Sequence, residues 1–156
     1  MAKIISIVYQ PIEKEYEEGR FDYFIREPVD TAVLVTNHGI EGDRKAGKNP
    51  RRQLNLLSVN WLDAQSKAGY KTAPGEFGEQ LIVEGLDLLA LPRGTRLQLG
   101  DTAVIQINGS RDGCIRLEAA QDKTGLAGEP IGILATVIQG GAIHVGDRVT
   151  ELVNAA

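Results

Sequence analysis

The sequence predicts a mainly β protein whose short strands form a closed or nearly closed β-barrel with a few short helices. Its 156 residues include 18 glycines, well above the roughly 7 % of an average chain, which indicates many turns. Gly-Asp pairs recur at 42–43, 100–101 and 146–147, where glycine supplies a positive φ and aspartate bonds the nearby backbone. Only two segments carry convincing helical signals, and this balance favours the β class.

Strands are predicted where apolar residues alternate with polar ones or form short buried runs. The predicted strands are 3–9, 31–36, 53–57, 95–99, 102–107, 132–138, 142–145 and 148–153. Residues 21–27 also have strand character, but Pro28 ends this strand or confines it to an edge.

Two helices are predicted from their capping residues. Ser58 can cap a helix over about 59–68, and Gly69 is its stop signal. A shorter helix is predicted over 115–123, with Gly125 after it.

Length and composition indicate one domain spanning residues 1–156. A chain of this size buries roughly 70 % of its unfolded surface, and its 42 % hydrophobic and 24 % charged residues are typical of a globular protein. A single cysteine excludes an internal disulfide. We expect a cytoplasmic protein without a membrane span, because no apolar run approaches roughly 18 residues and the N-terminus lacks a small-residue cleavage site.

The charge is unevenly distributed along the chain. The formal charge is −4, yet residues 44–52 contain five cations and no acid, so the other 12 cations and all 21 acids give the remainder −9. Such a segment attracts an anion that the rest of the surface repels; the alternative is a solvated basic loop. The acidic balance of the whole chain argues against a nucleic-acid partner.

Cys114 is the strongest nucleophile and, besides Met1, the only soft ligand in the sequence. It follows a glycine-containing loop and precedes the second predicted helix, where the helix dipole favours a thiolate. Arg111 and Arg116 could stabilise the same anion. A thiolate can ligate a soft metal, or attack a persulfide donor and hold its sulfur. The alternative is an inert, buried, structural cysteine.

The two histidines are predicted to have structural roles. One cysteine with His38 and His144 at unrelated spacings does not make a zinc ligand set. His38 is expected in a turn and His144 on a hairpin strand.

Five segments, taken in order, resemble the MOSC domain, the module named for the C-terminal part of molybdenum cofactor sulfurases. They are GIEGDRKAG at 39–47, PGEFGEQLIVEGLDL at 74–88, RLQLGDTAVIQI at 96–107, SRDGCIRLE at 110–118 and GILATVIQGGAIHVGDRV at 132–149. The resemblance covers roughly residues 33–150 and is to the small stand-alone bacterial type. It implies a β-rich barrel-like fold, a site around the cysteine and a link to the molybdenum cofactor (molybdopterin).

The resemblance also implies roles for individual residues. Cys114 would be the metal ligand and the catalytic residue in a protein that reduces N-oxygenated small molecules. A phosphorylated pterin needs cations, and arginine grips phosphate with two hydrogen bonds. The predicted cofactor-binding residues are Arg44 first, then Lys48 and Arg52, with Asp43, Glu79, Asn108 and Arg111. Asp43 orients Arg44 or closes its turn, and Glu79 bonds a pterin N–H, supports a site loop or lies on the surface.

Two other functions stay open. The protein could be a sulfur carrier that takes a persulfide on Cys114 from a separate cysteine desulfurase, or a non-catalytic anion-binding module. The reductase alternative needs a redox donor as its partner. The sequence departs from the family pattern at Lys45, Gln80 and Gly113, where histidine, asparagine and proline are frequent. Glycine in place of proline is expected to loosen the loop that presents the thiol.

Overall fold

The structure, a computed structural model, describes residues 1–12 and 26–153. The described residues form eleven strands and two α-helices, so the predicted mainly β class is confirmed. The strands are β1 (Lys3–Tyr9), β2 (Glu27–Val29), β3 (Thr31–Val35), β4 (Gly39–Ile40), β5 (Leu54–Ser58), β6 (Leu81–Glu84), β7 (Arg96–Leu99), β8 (Ala103–Asp112), β9 (Pro130–Gln139), β10 (Gly141–His144) and β11 (Val149–Leu152). The helices are α1 (Val59–Lys67) and α2 (Ile115–Gln121), and a short 3₁₀-helix covers Leu88–Ala90.

The strands form two sheets. The larger has eight strands in the order β11-β7-β8-β9-β5-β6-β1-β2, and the smaller has the order β10-β3-β4. Neighbouring strands are antiparallel except β5 and β6, which are connected through α1. Because β5 and β6 are parallel, their C-terminal ends lie at the same edge of the sheet, together with the start of α1.

The predicted closure into a barrel is wrong, because the large sheet is open. No ladder within the described residues joins its edge strands β11 and β2. One reason is that β2 is only three residues long and contains Pro28, which cannot donate a ladder hydrogen bond. The sheet nevertheless curls. Ile4 N donates to Asp147 O at 2.8 Å, and Gly146 N donates to Ile4 O at 2.7 Å, so the segment before β11 meets the start of β1.

β1 has the predicted ends, the other predicted strands are found with shifted ends, and two further strands, β4 and β6, were not predicted. β8 runs to Asp112, five residues beyond its predicted end, with register shifts along its pairing with β9. Of the predicted strand 21–27, residues 21–25 lie outside the described residues, while Pro28 lies on an edge strand as expected.

Both helices begin at the predicted residues, and α1 ends just before Gly69, the predicted stop, which has a positive φ of 95°. Ser58 precedes α1 without capping it, because its Oγ donates to Leu86 O and accepts from Leu88 N, each at 2.9 Å. The second helix stops at Gln121, before Gly125, because Asp122 adopts a left-handed conformation with φ 53°. No helix among the described residues has the length and apolarity to cross a membrane.

Two hydrophobic cores lie on opposite faces of the large sheet. Successive strand residues alternate between faces, and Leu56 belongs to the larger core while Leu57 belongs to the smaller one. The smaller core also contains Phe77, Leu117 and Leu126, and Trp61 packs edge-on against Phe77 with ring centroids 5.0 Å apart. This core anchors both helices and the loop after α2, and it thereby fixes the residues around Cys114.

Candidate functional site

A cleft of about 300 Å³ lies beside Cys114. Among the described residues that line it, six are cations and none is an acid. The lining residues are Arg26, Lys45, Lys48, Asn49, Arg52, Asn55, Gly78, Gln80, Arg111, Cys114 and Arg116. We refer to this feature as the cysteine cleft. Its charge favours an anionic ligand, since several cations around a concave surface concentrate the positive potential.

Buried hydrogen bonds hold the basic loop against the sheet. Asp43 is 1 % exposed, and its Oδ1 accepts from Gln10 N at 3.1 Å. Its Oδ2 accepts from Gln80 Nε2 at 3.3 Å, while Gln80 Oε1 accepts from Asn55 N at 2.7 Å. Asp43 therefore connects the loop to β1, and Gln80 connects it to β5. Asp43 Oδ1 also accepts from Lys45 N at 3.3 Å, a contact within the turn that agrees with the turn-closing alternative for Asp43.

Arg111 brings a buried positive charge to the cleft wall. Its side chain donates from Nη1 to Phe77 O at 2.6 Å, and the residue is 8 % exposed. Burial lowers the pKa of Arg111 to about 10, while the nearby Glu79 and Cys114 act in the opposite direction. A guanidinium with this pKa still carries its charge at neutral pH and adds to the positive potential of the cleft.

Glu79 is buried next to the cysteine cleft, where it supports a loop, and it does not line the cleft. It is 1 % exposed, and its carboxylate accepts from Gly75 N at 2.6 Å and from Phe77 N at 3.2 Å. Burial raises the pKa of Glu79, although these backbone hydrogen bonds and Arg111 oppose the shift. Of the alternatives predicted for this residue, support of a site loop agrees with its contacts and a surface position is wrong.

The raised pKa of Glu79 predicts a pH-dependent stability. A carboxyl whose pKa is higher in the folded state favours folding below its ordinary value of 4.5, and this contribution is lost as the pH rises through the folded-state pKa. We expect Glu79→Gln to flatten the decline in unfolding free energy that accompanies a rise in pH above 4.5. Urea unfolding across this range measures the decline, and the exposed Glu151→Gln is the control. Equal slopes for Glu79→Gln and wild type contradict the prediction.

Cys114 is exposed and stands immediately before α2. The preceding residue is held on both sides, because Gly113 N donates to Glu129 O and Gly113 O accepts from Gly128 N, each at 2.9 Å. A Cβ atom on Gly113 would lie 2.1 Å from Leu126 O. The expectation that Gly113 loosens the thiol loop is therefore wrong. Glycine is required there because another backbone segment packs directly against it.

The backbone that packs on Gly113 is itself held by α2. Glu118 Oε2 accepts hydrogen bonds from Gly125 N at 2.7 Å and from Leu126 N and Ala127 N at 3.3 Å. One carboxylate on the helix thus orders three consecutive backbone amides. This arrangement fixes the position of Cys114 relative to the cleft.

Lys45 is half-buried in the cleft, and its pKa is lowered. The first cause is burial, followed by repulsion from Arg26 and Lys48, while Asp43 opposes the shift. Repulsion between cations on different segments indicates a positive potential inside the cleft. The same potential attracts an anion.

The structure brings together four of the predicted site residues and leaves four outside the cysteine cleft. Cys114, Lys48, Arg52 and Arg111 line it. The predicted residues that do not line it are Arg44, Asp43, Glu79 and Asn108. Arg44, the first choice for gripping phosphate, has its backbone N bonded to Gln10 O at 2.7 Å.

Arg26 and Asn55 are among the lining residues that sequence reasoning missed. Arg26 is distant from every motif and carries no local signal. Asn55 stands at a polar position of a predicted strand, which usually indicates a solvent-facing side chain. Its Oδ1 is instead enclosed and has no hydrogen-bond partner among the described residues, and a buried acceptor of this kind is suited to a ligand N–H.

The histidines lie apart from the cleft. The ring of His38, in the turn before β4, packs against Gly47, where a Cβ atom would lie 2.7 Å from Nδ1. His144 Nδ1 lies 3.4 Å from Asp147 Oδ2, three residues later in the turn after β10. Within residues 1–12 and 26–153, no group of three His, Cys, Asp or Glu side chains could hold a metal ion.

The fold and cleft define a small β domain in which one exposed thiol is surrounded by cations. The model of the MOSC domain family matches residues 43–150, which is more than half of the chain, and the chain belongs to this family. A search of the curated proteins finds no match.

Solved structures show the same fold. The chain is similar to the YuaD protein from Bacillus subtilis, with 21 % identity, a TM-score of 0.70, and coverage of 96 % of this chain and 94 % of that one. It is also similar to YiiM from Geobacillus stearothermophilus, with 17 % identity, a TM-score of 0.72 and coverage of 100 % and 77 %. YiiM from Escherichia coli has 22 % identity, a TM-score of 0.69 and coverage of 99 % and 71 %. At these identities the likeness concerns the fold alone.

Proposed function

We propose that the cysteine cleft binds the molybdenum cofactor, with Cys114 Sγ as the protein's ligand to the metal, and that the loaded protein reduces N-oxygenated small molecules. The observation that carries the proposal is an exposed thiol in a cleft with six lining cations and, among the described residues, no lining acid. The MOSC family is associated with a cofactor that contains a metal and a phosphate. The soft thiol suits the metal of such a cofactor, and the positive charge suits its phosphate.

The residues present fit this cofactor better than they fit a free metal ion. A bare ion needs several protein ligands, and no group of three suitable side chains exists in the described part of the chain. A single thiolate is sufficient only when the metal arrives already held by an organic ligand. The cations then have a second role, because they bind the anionic part of that organic ligand.

Each cleft residue has a role in this proposal. Lys48 and Arg52 bind the phosphate, and Asn55 Oδ1 accepts a hydrogen bond from a pterin N–H. Arg111 stabilises the thiolate of Cys114 through its buried charge. When bound, the cofactor supplies a metal centre that passes two electrons to an N–O bond.

The reduction also needs protons and an electron source. Converting N–OH to N–H takes up two electrons and two protons and releases water, so a separate redox donor must supply the electrons. Lys45 Nζ is a suitable proton source inside the cleft, because its lowered pKa makes the proton easier to transfer.

The metal content of the isolated protein tests the proposal. Protein purified from a host that makes the cofactor should contain stoichiometric molybdenum and pterin, measured by elemental analysis and pterin fluorescence. Cys114→Ser should remain folded and lose most of the molybdenum, since a hydroxyl is a poor ligand for a soft site. Freshly isolated wild type without molybdenum contradicts the proposal.

A pair of lysine substitutions isolates the contribution of the cleft charge. Lys48→Gln removes a lining cation, whereas Lys67→Gln removes an exposed cation from the last turn of α1. We expect the pterin to be lost about tenfold faster from Lys48→Gln, as for one charge-assisted hydrogen bond, and at the wild-type rate from Lys67→Gln. Equal rates of pterin loss from both variants would mean that the net charge of the protein, and not the cleft, retains the pterin.

The exposure of Cys114 also favours a second function, that of a sulfur carrier. The thiolate would attack the outer sulfur of a persulfide on a cysteine desulfurase, forming a persulfide on Cys114 and releasing the thiolate of the desulfurase. Incubation with a desulfurase and free cysteine should then add about 32 Da, the mass of one sulfur atom, to the peptide containing Cys114. An unchanged peptide excludes this function. A non-catalytic module with a buried cysteine does not agree with the exposed thiol.

A further inference from the structure

A second cleft, of about 400 Å³, adjoins the cysteine cleft. Asn49 and Arg52 line both clefts. Among the described residues, the lining of the second cleft contains three arginines and no acid. Its lining residues are Asn49, Arg51, Arg52, Arg93, Asn108, Gly109, Ser110 and Leu134. We refer to it as the arginine cleft.

Asn108 fixes the arginine-bearing segments relative to each other. Its backbone O accepts from Arg93 Nε at 2.7 Å, and its Nδ2 donates to Arg51 O at 2.9 Å and to Thr136 Oγ1 at 2.7 Å. Thr136 Oγ1 in turn donates to Pro50 O at 2.7 Å. Since both hydrogens of the Asn108 amide are directed to protein oxygens, this residue positions the segments that carry the arginines.

Arg93 is oriented to bind an anion. Its Nε is committed to Asn108 O, and its Nη atoms have no acidic partner in the described part of the chain. A planar guanidinium held in this way presents its terminal N–H groups to phosphate or carboxylate oxygens. Gly109 borders the same guanidinium, because a Cβ atom there would lie 3.9 Å from Arg93 Nη2.

We propose that the arginine cleft binds a phosphate or carboxylate group of the substrate whose N-oxygenated group is reduced in the cysteine cleft. The substrate class is therefore anionic small molecules. This inference rests on the proposed function, in which the cations of the cysteine cleft are used by the cofactor. The two clefts share Asn49 and Arg52 in their walls and therefore lie side by side, so a small molecule that spans both would place its anionic group in the arginine cleft.

Binding of phenyl phosphate to the full chain tests the site directly. The side-chain Nε–H signal of Arg93 in NMR spectra should shift and saturate as phenyl phosphate is added. Arg93→Gln should weaken binding about tenfold, as expected for a lost charge-assisted contact, and Arg93→Lys should weaken it less because the charge remains. These substitutions are at an exposed residue, and unchanged thermal unfolding verifies that the variants fold.

Arg96→Gln is the matched control for net charge. Arg96 is also exposed, lies three residues away, and donates from Nε to Gln106 Oε1 at 3.2 Å, outside both clefts. We expect its phosphate affinity to stay within about twofold of wild type, since loss of a distant exposed charge is largely screened. Equal weakening of phosphate binding in Arg96→Gln and Arg93→Gln overturns the proposal that the arginine cleft is the binding site.

Comparing protein with and without molybdenum separates this inference from the proposed function. Binding at Arg93 in both forms, with molybdenum content unaffected by Arg93→Gln, supports a site for the substrate. Binding only in the molybdenum-free form means that the cofactor's own phosphate fills the cleft, and this overturns the assignment to the substrate. Protein that never contains molybdenum overturns the proposed function and the substrate assignment with it, whatever the phosphate result.

Discussion

Gly113→Ala should lower the free energy of unfolding by about 3 kcal/mol, as forced overpacking against fixed atoms does, and displace Cys114 from the cleft. The new Cβ atom would lie 2.1 Å from Leu126 O and 2.8 Å from Leu126 C. These are backbone atoms, and the side chain of Leu126 is anchored in the smaller core. Because Cys114 is the next residue, any relief of the overlap moves the thiol.

Urea unfolding followed by the fluorescence of Trp61, the only tryptophan, measures this effect. Gly128→Ala is the control in the same loop, because Gly128 has φ +79° and a Cβ atom there would meet nothing within 4 Å. Gly128→Ala should lower the free energy of unfolding by only about 1 kcal/mol, the cost of placing an alanine in the left-handed conformation. The reaction rate of Cys114 with a thiol reagent should change in Gly113→Ala alone. Similar results for both variants contradict the overlap argument.

Local patterns were sufficient to predict most of the strands but not the way the sheet ends. Alternation of apolar and polar residues locates β7 and β11 because it reports burial on one face. Closure depends on which edges meet, and that is decided by contacts between distant segments, such as the bonds of Ile4 to residues 146–147. β2 is short and contains a proline, so it leaves one edge of the sheet open. The local sequence pattern of β11, the strand at the other edge, carries no information about this.

One part of the candidate site could be predicted from the sequence, because a single short segment supplies its reactive and charged residues. Cys114 and Arg111 lie in a single motif, and both line the cleft. Which cations of the basic loop face the cleft was not predictable, because the loop is oriented by Asp43 through Gln10 and Gln80, residues 33 and 37 positions away. Arg44 is thereby excluded from the lining, while Lys48 and Arg52 remain in it.

Gly113 shows why the meaning of a glycine is hard to predict from sequence alone. Glycine permits conformational freedom, and it also permits close approach of another backbone. Only the position of Leu126, thirteen residues later, distinguishes these two reasons. The prediction of a loosened loop chose the first reason, whereas the structure shows the second.

Asp43→Asn should lower the free energy of unfolding by about 2 kcal/mol, the usual cost of a buried polar group left without a partner. In the wild type, Asp43 Oδ2 accepts from Gln80 Nε2 while Oδ1 accepts from Gln10 N. An asparagine amide that keeps the bond from Gln10 N presents its own N–H₂ to Gln80 Nε2, so two donors face each other. Turning the Gln80 amide restores that contact but removes the acceptor of Asn55 N.

Exchanging donor and acceptor should rescue this defect. In Asp43→Asn/Gln80→Glu, one glutamate oxygen accepts from Asn55 N and the other from the new asparagine amide, and the net charge of the chain is unchanged. We expect the double variant to recover at least half of the lost stability, measured by urea unfolding in a double-mutant cycle. Because Gln80 lines the cysteine cleft, the added carboxylate should weaken anion binding even though the fold recovers. Losses that simply add show that Asp43 does not act through Gln80, and unchanged stability in Asp43→Asn contradicts the prediction itself.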